Sequence, residues 1–152
     1  MPESPAEGEF DELVTTLVGA ALDAAVEEVL DGHSSLAERE RALMPAMNWV
    51  CTRLGVQLTR WVGAEGWQAL LRRGLDEVAR AGPTTGLSQD ADGDLRWSDD
   101  APLSDARREC VRLLVAVGRV LARFIGDEMA LRLIAQGIAQ SDSTSGQGPE
   151  HG

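Results

Sequence analysis

The chain has no lysine and no tyrosine among its 152 residues, and all 14 of its bases are arginine. These absences remove whole mechanisms. No side-chain Schiff base can form, no phosphate-loop lysine exists, and no tyrosine can act as acid or nucleophile. Histidine is nearly absent too: His33 falls in a polar break between apolar segments and His151 near the C-terminus. A histidine phosphotransfer bundle would need its histidine in mid-helix. The two cysteines, Cys51 and Cys110, lie far apart on apolar stripes with no metal-ligand spacing around them. They read as reduced core residues, not as half of a Cys-His nucleophile pair. No apolar run approaches the ~20 residues of a membrane span. The N-terminus, MPESPAEGEF, lacks the charged-then-apolar order of a signal peptide. The expected location is the cytoplasm, with no membrane partner.

What is present is apolar helical periodicity. From Leu103 to about Ala139, one face carries Leu103, Ala106, Cys110, Leu113, Leu114, Val117, Leu121, Phe124, Leu131 and Ala135. Val111, Val115, Ala122, Met129 and Leu133 widen it along a flank. A helix of this apolar girth has to be wrapped by other helices, by a partner subunit, or by both. Gly126-Asp127 offers a point where it could split. Upstream, a first helix is expected over residues 9–31, with a stripe from Phe10 to Leu30 and Gly32 as its stop. Ser35 and Glu38 fit a capping box for a second helix reaching about Val62, its buried side running Leu36, Leu43, Met47, Val50, Cys51, Leu54, Leu58, Trp61. Pro45 predicts a kink there. The run 63–66 breaks into a third helix, about Ala64 to Ala81, with Trp67, Leu70, Leu71, Leu75, Val78 and Ala79 on one face. Only residues 84–102 do not read as helix. Asp92-Gly93 is a two-residue turn signal between short arms at Leu87–Gln89 and Asp94–Trp97. The expected architecture is therefore all-α: a four-helix bundle with a kinked second helix, a short acidic hairpin-like insertion and a long C-terminal helix. It occupies residues 9–140 between a disordered N-terminus, 1–8, and a disordered polar tail, 141–152.

Charge is unevenly placed. The net charge is -11, which repels nucleic-acid backbones. Residues 1–50 hold 11 acids and two arginines, whereas residues 107–140 hold three acids and six arginines. Arg108, Arg112, Arg119 and Arg123 fall in one narrow arc of the long helix, on its non-core side. The simplest account pairs this arc with the acidic first helix, within one chain or across a dimer. Trp49 falls off the apolar stripe beside Arg53 and Val56 and is a candidate contact residue; partial burial under a loop is the competing reading. Trp61 and Trp67 flank the turn between the second and third helices and could line a pocket, although aromatics at helical spacing are more often core. Glu128 would project into the apolar arc if the long helix ran unbroken through Gly126, as a buried base or ligand group. A break at Gly126 would instead leave it exposed in a first turn, which the residues favour. A calcium loop starting at Ser88 would use Asp90, Asp92, Asp94 and Asp99, but its first ligand would be serine and no helix runs directly into it. An ordinary acidic turn fits better. No metal ligand set and no cofactor are expected.

The run CTRLGVQLTRWVGAEGWQALLRRGLDEVAR, then DADGDLRW, then LLVAVGRVLARFIGDEMALRLIAQ, resembles an uncharacterised bacterial all-α domain over about residues 50–140. The resemblance implies a bacterial source and a helical fold, and brings no activity, cofactor or catalytic residue. The function expected is a non-enzymatic protein-interaction or regulatory module, associating with itself or another protein. The alternative is a sensor holding a small apolar or anionic ligand between helices.

Overall fold

A computed structural model describes residues 4–30, 35–81, 86–91 and 93–147. It is mostly helical, with four helices and one small sheet: α1 (Ser4–Leu30), α2 (Leu36–Ala81), β1 (Leu87–Gln89), β2 (Leu95–Trp97), α3 (Ala106–Ile125) and α4 (Asp127–Gln147). Among the described residues no helix is long and apolar enough to cross a membrane. α1 begins inside the segment read from sequence as a disordered start, and α4 runs into the polar tail, where no proline falls before Pro149. The expected stop at Gly32, the residues of His33 and His151, and Asp92 lie outside the described residues.

α3 is the central rod. Twelve of its twenty residues are buried, from Ala106 to Leu121, and it packs on α1, α2 and α4. Only the side bearing its arginines meets water along its length. The expected wrapping of this segment follows from its girth: an apolar arc wider than one neighbour can cover needs three. α1 lays Phe10, Val14, Val18, Leu22, Ala25 and Val26 into the core, and α2 adds Leu43, Met47, Val50, Leu54, Leu58, Leu70 and Leu71. The outer part of the α1 stripe stays in water at Leu13 and Val29. Leu36 and Trp61, expected on the buried side of α2, are also exposed.

The capping box forms as the sequence requires. The Ser35 N–H donates to Glu38 Oε1 at 3.1 Å, and the Glu38 N–H to Ser35 Oγ at 3.2 Å. Pro45, by contrast, does not interrupt α2; the non-helical residue is Gly63, at φ 82°, ψ 164°. Pro45 and Arg41 both face solvent, so water can take the carbonyl whose partner proline removes. The break at Gly63 folds the helix back. Trp67 packs directly over Gly55, where an added Cβ would meet its Nε1 at 2.6 Å. A straight helix would hold these residues about 18 Å apart. α2 is thus two limbs, 36–62 and 64–81.

A second break of the same kind parts the long C-terminal segment. Gly126 takes φ 92°, ψ 156°, ends α3 by donating its N–H to Ala122 O at 2.7 Å, and starts α4 by accepting from the Ala130 N–H at 3.0 Å. The break resets the helical phase. Downstream, Ala130, Leu133, Ile134 and Gly137 turn inward, instead of Leu131 and Ala135 as a continuous helix would place them, and Phe124 is left 74% exposed.

The insertion is a true hairpin. Leu87 pairs with Trp97, Ser88 with Arg96 and Gln89 with Leu95. Leu87 and Leu95 are buried against the helices, while Ser88 and Arg96 face water. The turn is longer than the expected two residues. The Asp90 N–H donates to Asp94 O at 2.9 Å, and Gly93 takes φ 94° between them. Asn48 clips the hairpin to α2: its Nδ2 donates to Leu95 O at 3.0 Å and its Oδ1 accepts the Leu95 N–H at 2.9 Å. Gln89 Nε2 reaches Gln68 Oε1 at 2.9 Å on the other limb.

Candidate functional site

The arginine side of α3 forms one wall of a groove of about 510 Å³ that α1 and the second limb of α2 close. Its floor is aliphatic: Val78, Val111, Val115 and Ala116. Its rim carries Arg107, Arg108, Arg112 and Arg119 against Asp11 and Glu77. The helical arc explains this juxtaposition. Val111 and Val115 belong to the flank of the apolar stripe, and the arginines stand next to them on the cylinder.

The rim arginines are held in two ways. Arg119 grips Asp11 of α1 with two hydrogen bonds, Nε to Oδ1 at 3.0 Å and Nη2 to Oδ2 at 2.6 Å. Arg107 does the same to Asp23, at 3.0 and 3.2 Å. These forks tie α3 to α1 and set the groove's width. Each pair is half in water and contributes at most about 1 kcal/mol. Among the described residues Arg108 pairs with Asp105, just ahead of α3, at 3.4 Å, and Arg112 with Glu109 of its own helix at 3.6 Å. Arg123 lies beyond the groove and reaches Glu77 at 3.4 Å. Within one chain and among the described residues, Arg119 of the four makes the expected pairing with the acidic first helix. Arg107, which sequence reading left out, supplies the second link, because a side chain that long reaches α1 from outside the narrow arc.

Glu109 is an acid of α3 that the sequence reading does not single out. It falls in register with Ala106 and Leu113 on the core face, the signal that could have revealed it. It is 6% exposed; Oε1 is buried without a hydrogen-bond partner among the described residues, and Oε2 faces Arg112.

Trp61, Trp67 and Glu128 do not come together. The fold-back at Gly63 turns Trp67 inward onto Gly55 and leaves Trp61 55% exposed. Glu128 is in solvent in the first turn of α4, as the break at Gly126 requires. The three line no common pocket among the described residues. Trp49 is 42% exposed, its ring under the Arg53 guanidinium at 5.2 Å. In the acidic turn, Asp90 Oδ1 accepts the Asp94 N–H at 3.0 Å and Oδ2 accepts Arg96 Nε at 2.9 Å. This carboxylate holds its own loop in shape. Asp94 and Asp99 are exposed. Among the described residues no three of His, Cys, Asp and Glu are placed to hold a metal ion.

Both cysteines are free and buried. Burial pushes the Cys110 thiol up to about 12, with Glu109 adding to the effect; burial raises Cys51 as well, helped by Cys110. Neither is a thiolate at neutral pH, so a disulfide reagent should label them only through opening of the fold, at a rate that follows stability. The sign for alkali follows. Below pH 9 both states keep the protons. Above it the unfolded chain releases protons the native fold retains, so stability should fall as pH climbs toward about 12. Chemical denaturation at pH 7, 9 and 10.5 measures this; a flat profile would contradict it.

No protein-family model, curated protein or solved structure matches the chain.

Proposed function

We propose that the chain is a non-enzymatic interaction module of a bacterial cytoplasmic system, a four-helix bundle kinked in its second helix that associates with copies of itself. The observation that carries this reading is the outer side of the first limb of α2. Trp49, Arg53, Val56 and Arg60 follow one another there at helical spacing, with Trp49 and Val56 about half in water. Tryptophan and arginine are the side chains that most often dominate binding at interfaces. A surface of matching character lies on α1, where exposed Leu13, Ala20 and Ala24 run between Glu9, Glu12, Glu27 and Glu28. An acidic, apolar helix from one copy suits a cationic, aromatic one on another. The buried thiols support the non-enzymatic part, since they offer no nucleophile at neutral pH.

Sedimentation across a wide concentration range tests the proposal. The chain should show mass action between monomer and oligomer. Trp49→Glu with Val56→Glu should weaken association at least thirtyfold, from the loss of about 2 kcal/mol or more. Both side chains are exposed, so the melting temperature of the monomer should stay within about 2 °C. A strict monomer at high concentration would overturn the reading.

A further inference from the structure

The groove between α1, α3 and the second limb of α2 has its own chemistry, independent of the aromatic stripe on the opposite limb. We infer that it binds an aliphatic carboxylate, a single medium-length alkyl chain ending in an anion. The tail would lie on Val78, Val111, Val115 and Ala116, and the head would sit between Arg108 and Arg112.

The assignment of the head follows from how each arginine is occupied. Arg107 and Arg119 spend their forks on Asp23 and Asp11 and serve as walls. Arg108 and Arg112 stand one helical turn apart, on one side of α3, each in a single ion pair among the described residues, no closer than 3.4 Å. Guanidinium carries five N–H donors, so each can keep its present partner and still offer donors to an anion. Two guanidinium groups spaced by one turn can converge on one carboxylate. The tail follows from the floor. Four aliphatic side chains from two helices line a space of about 510 Å³, within the range of small-molecule sites and too small for a two-chain lipid. The net charge of -11 disfavours general adsorption of anions, so an anion that binds must be drawn by local geometry.

Calorimetric titration of the full chain with decanoate, well below its micelle concentration, tests this. Saturable binding of about one decanoate per chain is expected. Butyrate, which lacks the tail, and decyltrimethylammonium, which reverses the head, should bind at least tenfold more weakly. Arg108→Gln with Arg112→Gln should weaken decanoate binding by about a hundredfold, tenfold for each charge-assisted contact. Arg53→Gln, outside the groove, should change nothing. The same titration on the Trp49→Glu, Val56→Glu chain separates this site from self-association, because the groove is intact there. Three results would overturn the inference: no saturable binding of decanoate, undiminished binding by the double arginine variant, or equal binding of the cationic amphiphile.

Discussion

Leu113→Ala is expected to cost about 3 kcal/mol of stability. Leu113 has no exposed surface, and it sits where α3 meets the second limb of α2, its Cδ1 3.0 Å from the position a Cβ on Gly74 would take. Truncation removes the transfer energy of the lost methyl groups and leaves a cavity that the rods cannot close. Helices held on three sides have little room to collapse inward. Urea unfolding monitored by circular dichroism measures the effect, with an unchanged slope showing that the folded state keeps its compactness. Leu131→Ala, half-buried on α4, should cost clearly less. Equal losses at the two sites would mean that α3 is not the centre of the packing.

Gly126→Ala and Gly63→Ala should each lower stability by about 2 kcal/mol, or roughly 4–8 °C in melting temperature. Both glycines sit at positive φ with ψ near 160°, a backbone region essentially closed to residues with a Cβ. Open space surrounds both, so the cost comes from the backbone alone and not from a clash. Gly8→Ala is the control. Gly8 is an exposed residue within α1, also with nothing nearby. There alanine should stabilise by about 0.5–1 kcal/mol. One chemical change with opposite signs at different positions isolates backbone conformation as the cause. If alanine stabilised all three sites, neither glycine would be a true elbow.

The two elbows mark where sequence reading succeeded and where it failed. Apolar spacing located the helical segments, the Asp92-Gly93 turn signal located the hairpin, and the Ser35–Glu38 cap formed in full. Spacing could not choose which part of a broad apolar girth faces inward. Leu13, Val29, Leu36 and Trp61 lie in stripes as good as those of their buried neighbours, and only the position of the next helix decides. Past Gly126 the phase shifted, so Leu133, expected on the flank, moved with Ala130 and Ile134 to the centre of the buried face, and Leu131 and Ala135 to its margin. The run 63–66 was legible as a break, and Gly63 makes it; Pro45, also legible as one, falls on a wet face, where its lost hydrogen bond matters least, and α2 continues through it. The arginine arc was legible as a stripe; its partners were not, because a long flexible side chain selects among acids only after the rods are placed. Glu109 was hidden by its charge, being an acid at a position that the periodicity reserves for the core.

The Asn48 amide has a consequence beyond fastening. A two-stranded ribbon normally presents an open row of donors and acceptors on each side, ready to recruit a stranger's strand. On β2 the outward N–H and C=O of Leu95 are both taken by one side chain that imitates a neighbouring strand. At that point the outer side of β2 is thereby closed to strand addition.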